Sequence, residues 1–278
     1  MADLHPITRR LLWLFFAVVC VAMYLPMLVT ALASASRSRF FIFPVSRYSW
    51  KWYEDTLSSF QIEQAATTSL IVALLVAFIS VGLAFFGALA FARYDWKGRK
   101  WFQYVVLLPI FFPQAVLGLA VQLWLNTLGV EMSWLSTVFG QMVWIAPIAT
   151  LIIAIQVFGY DPAFEDAARD LGATRWQAMR DITLPLLWPG IFSGFLFSLL
   201  LSWSNFPFAY YTSGADVTIP EWLHAKMIGG YTPMVPAVGT LSILVGAVVL
   251  CGGFAIAAIV KAILARKAAR QAAQPAQG

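Results

Sequence analysis

Charge is scarce in this sequence. Of its 278 residues only 11% are Asp, Glu, Lys or Arg, whereas a soluble domain carries about 25%. Hydrophobic residues make up 61% and aromatics 15%, and the mean hydropathy is +0.78. A single water-soluble globular domain is excluded, and so is disorder, which needs low hydrophobicity and high charge. Cysteine is nearly absent. Cys20 and Cys251 both lie in apolar runs, where thiols serve as small hydrophobes and form neither a disulfide framework nor a metal site. The two histidines, His5 and His224, are far apart. No G-x-x-x-x-G-K-[ST] phosphate loop is present, and Gly98 within Lys97–Lys100 is too isolated to stand in for one. No Ser/His/Asp set is found either. The chain is therefore not an enzyme by itself, binds no cofactor of its own and holds no metal.

What the sequence has in excess is apolar length. A bilayer-spanning helix needs about 20 mostly apolar residues. Six stretches qualify, at 11–33, 66–91, 103–125, 134–159, 186–211 and 237–263, which predicts an all-α membrane protein with six transmembrane helices. The first follows Arg9 and Arg10, and Ala31-Leu32-Ala33 resembles a cleavage site. Its apolar run of roughly 20 residues nevertheless exceeds the 7–15 of a secretory h-region, so a retained helix is expected.

Net charge is +5. In a soluble protein a basic balance would point to nucleic acid; here it belongs to the ends of spans. Thirteen basic residues fall on one side: Arg9, Arg10, Arg93, Lys97, Arg99, Lys100, Arg169, Arg175, Arg180, Lys261, Arg266, Lys267 and Arg270. Five fall on the other: Arg37, Arg39, Arg47, Lys51 and Lys226. Positive charge marks the cytoplasmic side. That places 1–10, the connection 161–185 and the tail 264–278 in the cytoplasm and the segment 212–236 outside, around a membrane domain over 11–263. Beyond Lys267 the Ala- and Gln-rich tail is expected to be disordered.

The connection between spans four and five reads DPAFEDAARDLGATRWQAMRDITLP. Asp161 suits an N-cap and Pro162 the first helical position. Gly172 suits the residue after a helix end, and Thr174 with Gln177 forms a capping box for a second helix. Pro185 is expected to end that helix before the next span. On the first helix Phe164, Ala167, Ala168 and Leu171 form one apolar stripe, with Glu165, Asp166, Arg169 and Asp170 on the polar side. The spacing alone is compatible with a surface helix tucking its stripe against the bundle.

These residues also resemble a known family. Asp166-Ala167-Ala168, Gly172 and, nine residues later, Ile182-Thr183-Leu184-Pro185 follow the E-A-A-x-x-x-G…I-x-L-P pattern of the inner-membrane permease subunits of binding-protein-dependent ABC importers. Asp166 stands where the family usually has Glu, and Glu165 is placed to share its role. The resemblance implies the type I importer permease fold, with both termini cytoplasmic. It implies ATPase coupling through Glu165, Asp166, Ala167, Ala168, Leu171, Gly172 and Ala173. It further implies two ATPase subunits holding ATP and Mg, a second permease subunit that is a different chain, a periplasmic solute-binding protein that meets the 212–236 loop, and residence in the bacterial inner membrane. Asp170-Leu171-Gly172-Ala173 looks more like the polyamine, iron and oxyanion permeases than the sugar ones, and the stretch from Gly230 to Ala237 is similar to spermidine/putrescine permeases.

Polar groups and prolines inside spans mark candidate pathways. Span three holds Pro109, Pro113, Gln114 and Gln122; span four holds Gln141, Trp144 and Pro147; span five ends Ser202-Trp203-Ser204-Asn205-Phe206-Pro207 and on to Tyr211. Gln114, Gln122, Trp203, Asn205 and Tyr210 are the predicted substrate-pathway residues, against the plainer roles of helix–helix hydrogen bonding and interfacial aromatics. No Asp or Glu lies in any of the six stretches, which keeps a neutral, zwitterionic or opine-like nitrogen solute beside a polyamine. A secondary transporter would need an inverted repeat or intramembrane ionisable residues, and neither is seen. Gly190 and Gly194 form a G-x-x-x-G face whose partner helix the sequence leaves open.

Overall fold

The structure, a computed structural model, describes residues 5–38, 45 and 47–272, the side chains of 261 and 264–272 aside. Arg39, counted above, lies outside them. The elements are helical: α1 Pro6–Ser34, α2 Lys51–Leu57, α3 Phe60–Ala88, α4 Arg99–Leu107, α5 Gln114–Thr127, α6 Trp134–Gly159, α7 Ala163–Asp170, α8 Arg175–Ala178, α9 Leu184–Trp203, α10 Phe206–Thr212, α11 Ile219–Gly229 and α12 Met234–Ala272. Among the described residues five helical stretches are long and apolar enough to cross a bilayer, or six if α4 and α5 are counted together.

Four of the expected spans are continuous helix over nearly the anticipated residues. The other two are broken. The third is an elbow: Arg99–Phe111 and Gln114–Thr127 meet at an angle of 105°. Pro109 opens a 3-10 turn over Leu108–Phe111, and Phe112 is extended, the conformation that a following proline favours. The fifth stops at Trp203, and α10 starts a new helix with Pro207 in its first turn. At the chain's end α12 runs through to Ala272, so helix continues past Lys267, where disorder is expected from composition; 273–278 lie outside the described residues.

The chain forms two compact units, residues 1–63 with 222–245 and residues 64–221 with 246–278. In the first, α1 buries only Ser34. The Ser34 hydroxyl pairs with the Tyr53 hydroxyl at 2.6 Å, and Trp52 Nε1 donates to the Ser36 carbonyl at 2.8 Å. Leu11, Leu14, Phe15 and Val18 are all more than half exposed.

In the second unit α3, α6 and α9 share an apolar core of Val81, Ala84, Ala149, Ile153 and Leu187. The G-x-x-x-G face packs there. A Cβ on Gly190 would stand 2.7 Å from Gln156 Cβ, and one on Gly194 would stand 3.3 Å from Ile153 Cγ1. The partner of this face is therefore α6, within the chain. Gly118 does the same for α10: its Cβ would meet the Pro207 carbonyl and the Tyr211 ring at 3.0 Å.

Candidate functional site

The 161–185 segment is ordered by its own caps. Asp161 Oδ1 accepts the Ala163 amide at 2.9 Å, although the N-cap position itself falls on Pro162, one residue later than the sequence places it. At the other end Gly172 takes φ +90°. Its amide donates to Arg169 O at 2.9 Å and the Ala173 amide to Ala168 O at 3.0 Å, the paired bonds of a Schellman stop. The Thr174–Gln177 capping box is complete, with the Thr174 amide on Gln177 Oε1 at 2.7 Å and the Gln177 amide on Thr174 Oγ1 at 3.3 Å. Pro185 does not end the second helix. A π turn over Met179–Thr183 carries α8 directly into α9. The Leu184 amide reaches back five residues to Met179 O, and Pro185 then sits in the first turn of α9, where its missing N–H is tolerated.

The orientation of α7 differs from the surface-helix expectation. Its apolar stripe points out: Phe164 is 57% and Leu171 90% exposed, and Ala167 is exposed. A crevice of about 400 Å3, lined by Ala168, Leu171, Ala173, Gln177 and Ile182, opens beside it. Glu165, placed by periodicity on the polar outer side, turns inward. Its carboxylate accepts from Arg93 Nη2 at 2.9 Å, from Thr183 Oγ1 at 2.6 Å and from the Tyr160 hydroxyl. The Arg93 guanidinium also lies 5.4 Å from the Tyr160 ring centroid. Burial pushes the Glu165 carboxyl up, but the bonds from Thr183, Tyr160 and Arg93 outweigh it and hold it below the ordinary carboxylate value. Burial first, and then the bond to Glu165, push the Tyr160 phenol up to about 12. Asp166, in contrast, is exposed and pairs with Arg169 at 3.1 Å. Nothing in the sequence marks Glu165 as the inward residue except its adjacency to the motif.

Among the expected pathway residues, two meet directly. Asn205 Nδ2 donates to Gln114 Oε1 at 3.4 Å, joining the break after α9 to the elbow before α5. Asn205 is buried, and its Oδ1 accepts the Phe208 amide at 3.1 Å as the N-cap of α10. Trp203 and Gln122 are half-buried. Tyr210 is 56% exposed and packs on Phe206 and Tyr211. The sequence picks out Gln141 but not its partner: Gln141 is fully buried and accepts from the Ser202 hydroxyl. The buried Thr212 hydroxyl likewise bonds Thr137 Oγ1 at 3.2 Å, tying α10 to α6. A polar layer thus runs through the apolar packing of α6, α9 and α10.

Residues 80–270 match the model of the binding-protein-dependent transport system inner membrane component family. The chain belongs to that family. As a permease of this family it is similar to the spermidine/putrescine transport system permease PotC of Haemophilus influenzae, 26% identical over 230 residues, covering 82% of this chain and 89% of the relative. It is also similar to the putrescine transport system permease PotI of Escherichia coli, 27% identical over 238 residues and covering 83% and 84%. Among solved structures, a chain of a bacterial ABC transporter involved in the import of the acidic polysaccharide alginate superposes with a TM-score of 0.69 at 17% identity, covering 90% of this permease and 97% of that chain. The inward-facing MetNI methionine ABC transporter gives 0.60 at 17%, covering 73% and 99%. The permease is thus an ABC importer subunit and a multi-pass membrane protein.

Proposed function

We propose that this permease forms half of the translocation pathway of an ATP-driven importer for a polyamine or a related nitrogen compound, in the bacterial inner membrane. A different permease chain forms the other half. Two ATPase subunits bind the ATP and Mg, and a periplasmic solute-binding protein delivers cargo to the 212–236 side. Both termini face the cytoplasm, and the elbow of α4 and α5 counts as the third of six spans; the thirteen-to-five division of basic residues supports this orientation.

The observation that carries the coupling role is the outward stripe of α7. An exposed apolar ridge with two small alanines at its centre is held rigid by caps at both ends, and the crevice beside it offers room for a side chain of the ATPase. A capped helix transmits displacement that a floppy loop would absorb. Ala167→Trp and Leu171→Glu are expected to abolish copurification of the ATPase and uptake while membrane insertion persists. A variant that retains a full complement of active ATPase would overturn the docking role.

Polyamine cargo is supported by the relatives' substrates and by the Gly230–Ala237 stretch. The acid-free spans favour a neutral or zwitterionic nitrogen compound as the second reading, with opine, amino-acid, iron and oxyanion cargo behind it. Measuring which solute the cognate binding protein retains decides between them. Gln114, Asn205, Trp203, Gln122 and Tyr210 are proposed to line the path.

A further inference from the structure

Two π turns occur among the described residues, Leu89–Arg93 at the end of α3 and Met179–Thr183 at the start of α9. The last residue of each is bonded to the same carboxylate: Arg93 to Glu165 Oε2 and Thr183 to Glu165 Oε1. The third donor, Tyr160, is the residue that caps α6. Three span ends therefore converge on one side chain of α7. Within α7 the other side chains, Ala168 aside, are exposed. Arg169 extends the cluster outward, 4.0 Å from Glu165 and 3.1 Å from Asp166.

We propose that Glu165 is the positioning residue through which movement of α7 reaches α3, α6 and α9, with the two π turns as the hinges that take up the rotation. The proposal rests on the coupling role of α7 given above. A π turn carries one residue more than an α turn between its bonded groups, so it can tighten or widen without breaking the helix, and such turns recur where helices bend or act. The residues around the joint are close-packed: Leu89, Phe91 and Leu187 are almost wholly buried. A displacement of the carboxylate is therefore passed on and not absorbed by rearranging side chains. Arg93, with its fixed planar fork, suits this joint better than a lysine would.

The test needs no knowledge of the cargo. Thr183→Val and Arg93→Met each remove one donor to Glu165 and leave the outward face of α7 as it is. In a chain lacking Cys20 and Cys251, Ser204→Cys reports on the far end of α9. Its rate of maleimide labelling is measured with and without ATP, in vesicles holding the permease with its partner permease and ATPases. The parent is expected to show an ATP-dependent change in rate. In Thr183→Val and in Arg93→Met that change should shrink about tenfold, the shift carried by one charge-assisted hydrogen bond, while the ATPases still copurify. Arg93→Lys should recover part of it. An unaltered ATP response in Thr183→Val and Arg93→Met overturns the proposal. So does loss of assembly with a normal response in the complexes that remain, which is how a merely stabilising cluster behaves. If the parent chain binds no ATPase, the coupling role itself fails, and that is seen before any variant is made.

Discussion

Glu165 accepts three hydrogen bonds from three different elements, and its charge has a consequence for pH. Its folded value lies below the ordinary 4.5. The stabilisation it supplies is therefore complete above 4.5 and is lost as pH falls through the lowered value. The melting temperature of the wild type should exceed that of Glu165→Gln by a constant margin through the neutral range, and the two should converge in acid. Tyr160 works in the opposite direction: its phenol, raised from 10.0 to about 12, gives stability that is full below 10.0 and lost as pH climbs toward about 12. Gly190 is a second decisive residue. A Cβ there meets Gln156 Cβ at 2.7 Å, whereas one at Gly252 meets nothing within 4 Å. Gly190→Val should destabilise the purified protein by about 1–3 kcal/mol through overpacking. Gly252→Ala should be neutral or slightly stabilising, since alanine is the better helix former. At Asn205 the cap and the contact to Gln114 separate cleanly. Asn205→Ala should lose about 0.5–2 kcal/mol with the cap. Asn205→Ser retains the cap and loses the reach to Gln114, so only a fall in uptake with Asn205→Ser reports on the pathway.

At the scale of elements, α7 depends on its stop signal. Gly172 holds φ +90°, a region that side-chain-bearing residues enter at a cost of about 1–2 kcal/mol. Gly172→Val should release the bonds to Arg169 O and Ala168 O, seen as faster hydrogen exchange at the amides of 172 and 173, whereas Gly172→Asn should preserve most of the protection. How far these elements were legible follows from the same physics. Caps are local, so Asp161, Gly172 and the Thr174–Gln177 box could be read from the sequence, as could four of the spans from their apolar length. Two kinds of feature could not. Periodicity finds two faces on α7 but not which face is buried, because a carboxylate that turns inward is stabilised by Arg93, a residue 72 positions away. Proline reads as a stop signal, yet the π turn before Pro185 absorbs the missing donor and lets α8 flow into α9. At Pro109 and Pro113 the same residue type produces a 105° elbow, so proline announces a change of course without its angle.

For the whole molecule, the division of labour is visible in where polarity is spent. Arg93, Glu165, Asp166 and Arg169 form a cluster of ion pairs on and beside α7, uncharged amides and hydroxyls bond within α5, α6, α9 and α10, and α1 is apolar and exposed over most of its length. The six apolar stretches contain no Asp or Glu, and this has an electrical consequence. This chain therefore supplies no carboxylate there that could move with a cation in transit, and a polyamine would carry its valence through the transmembrane field, at about 2.3 kcal/mol per charge for each 100 mV. Putrescine uptake into vesicles should therefore climb steeply when valinomycin and a potassium gradient make the receiving compartment negative, and reverse its response when the gradient is inverted. A neutral or zwitterionic cargo would leave the rate indifferent to voltage, so the membrane potential itself becomes the instrument that reads the valence of what this permease imports.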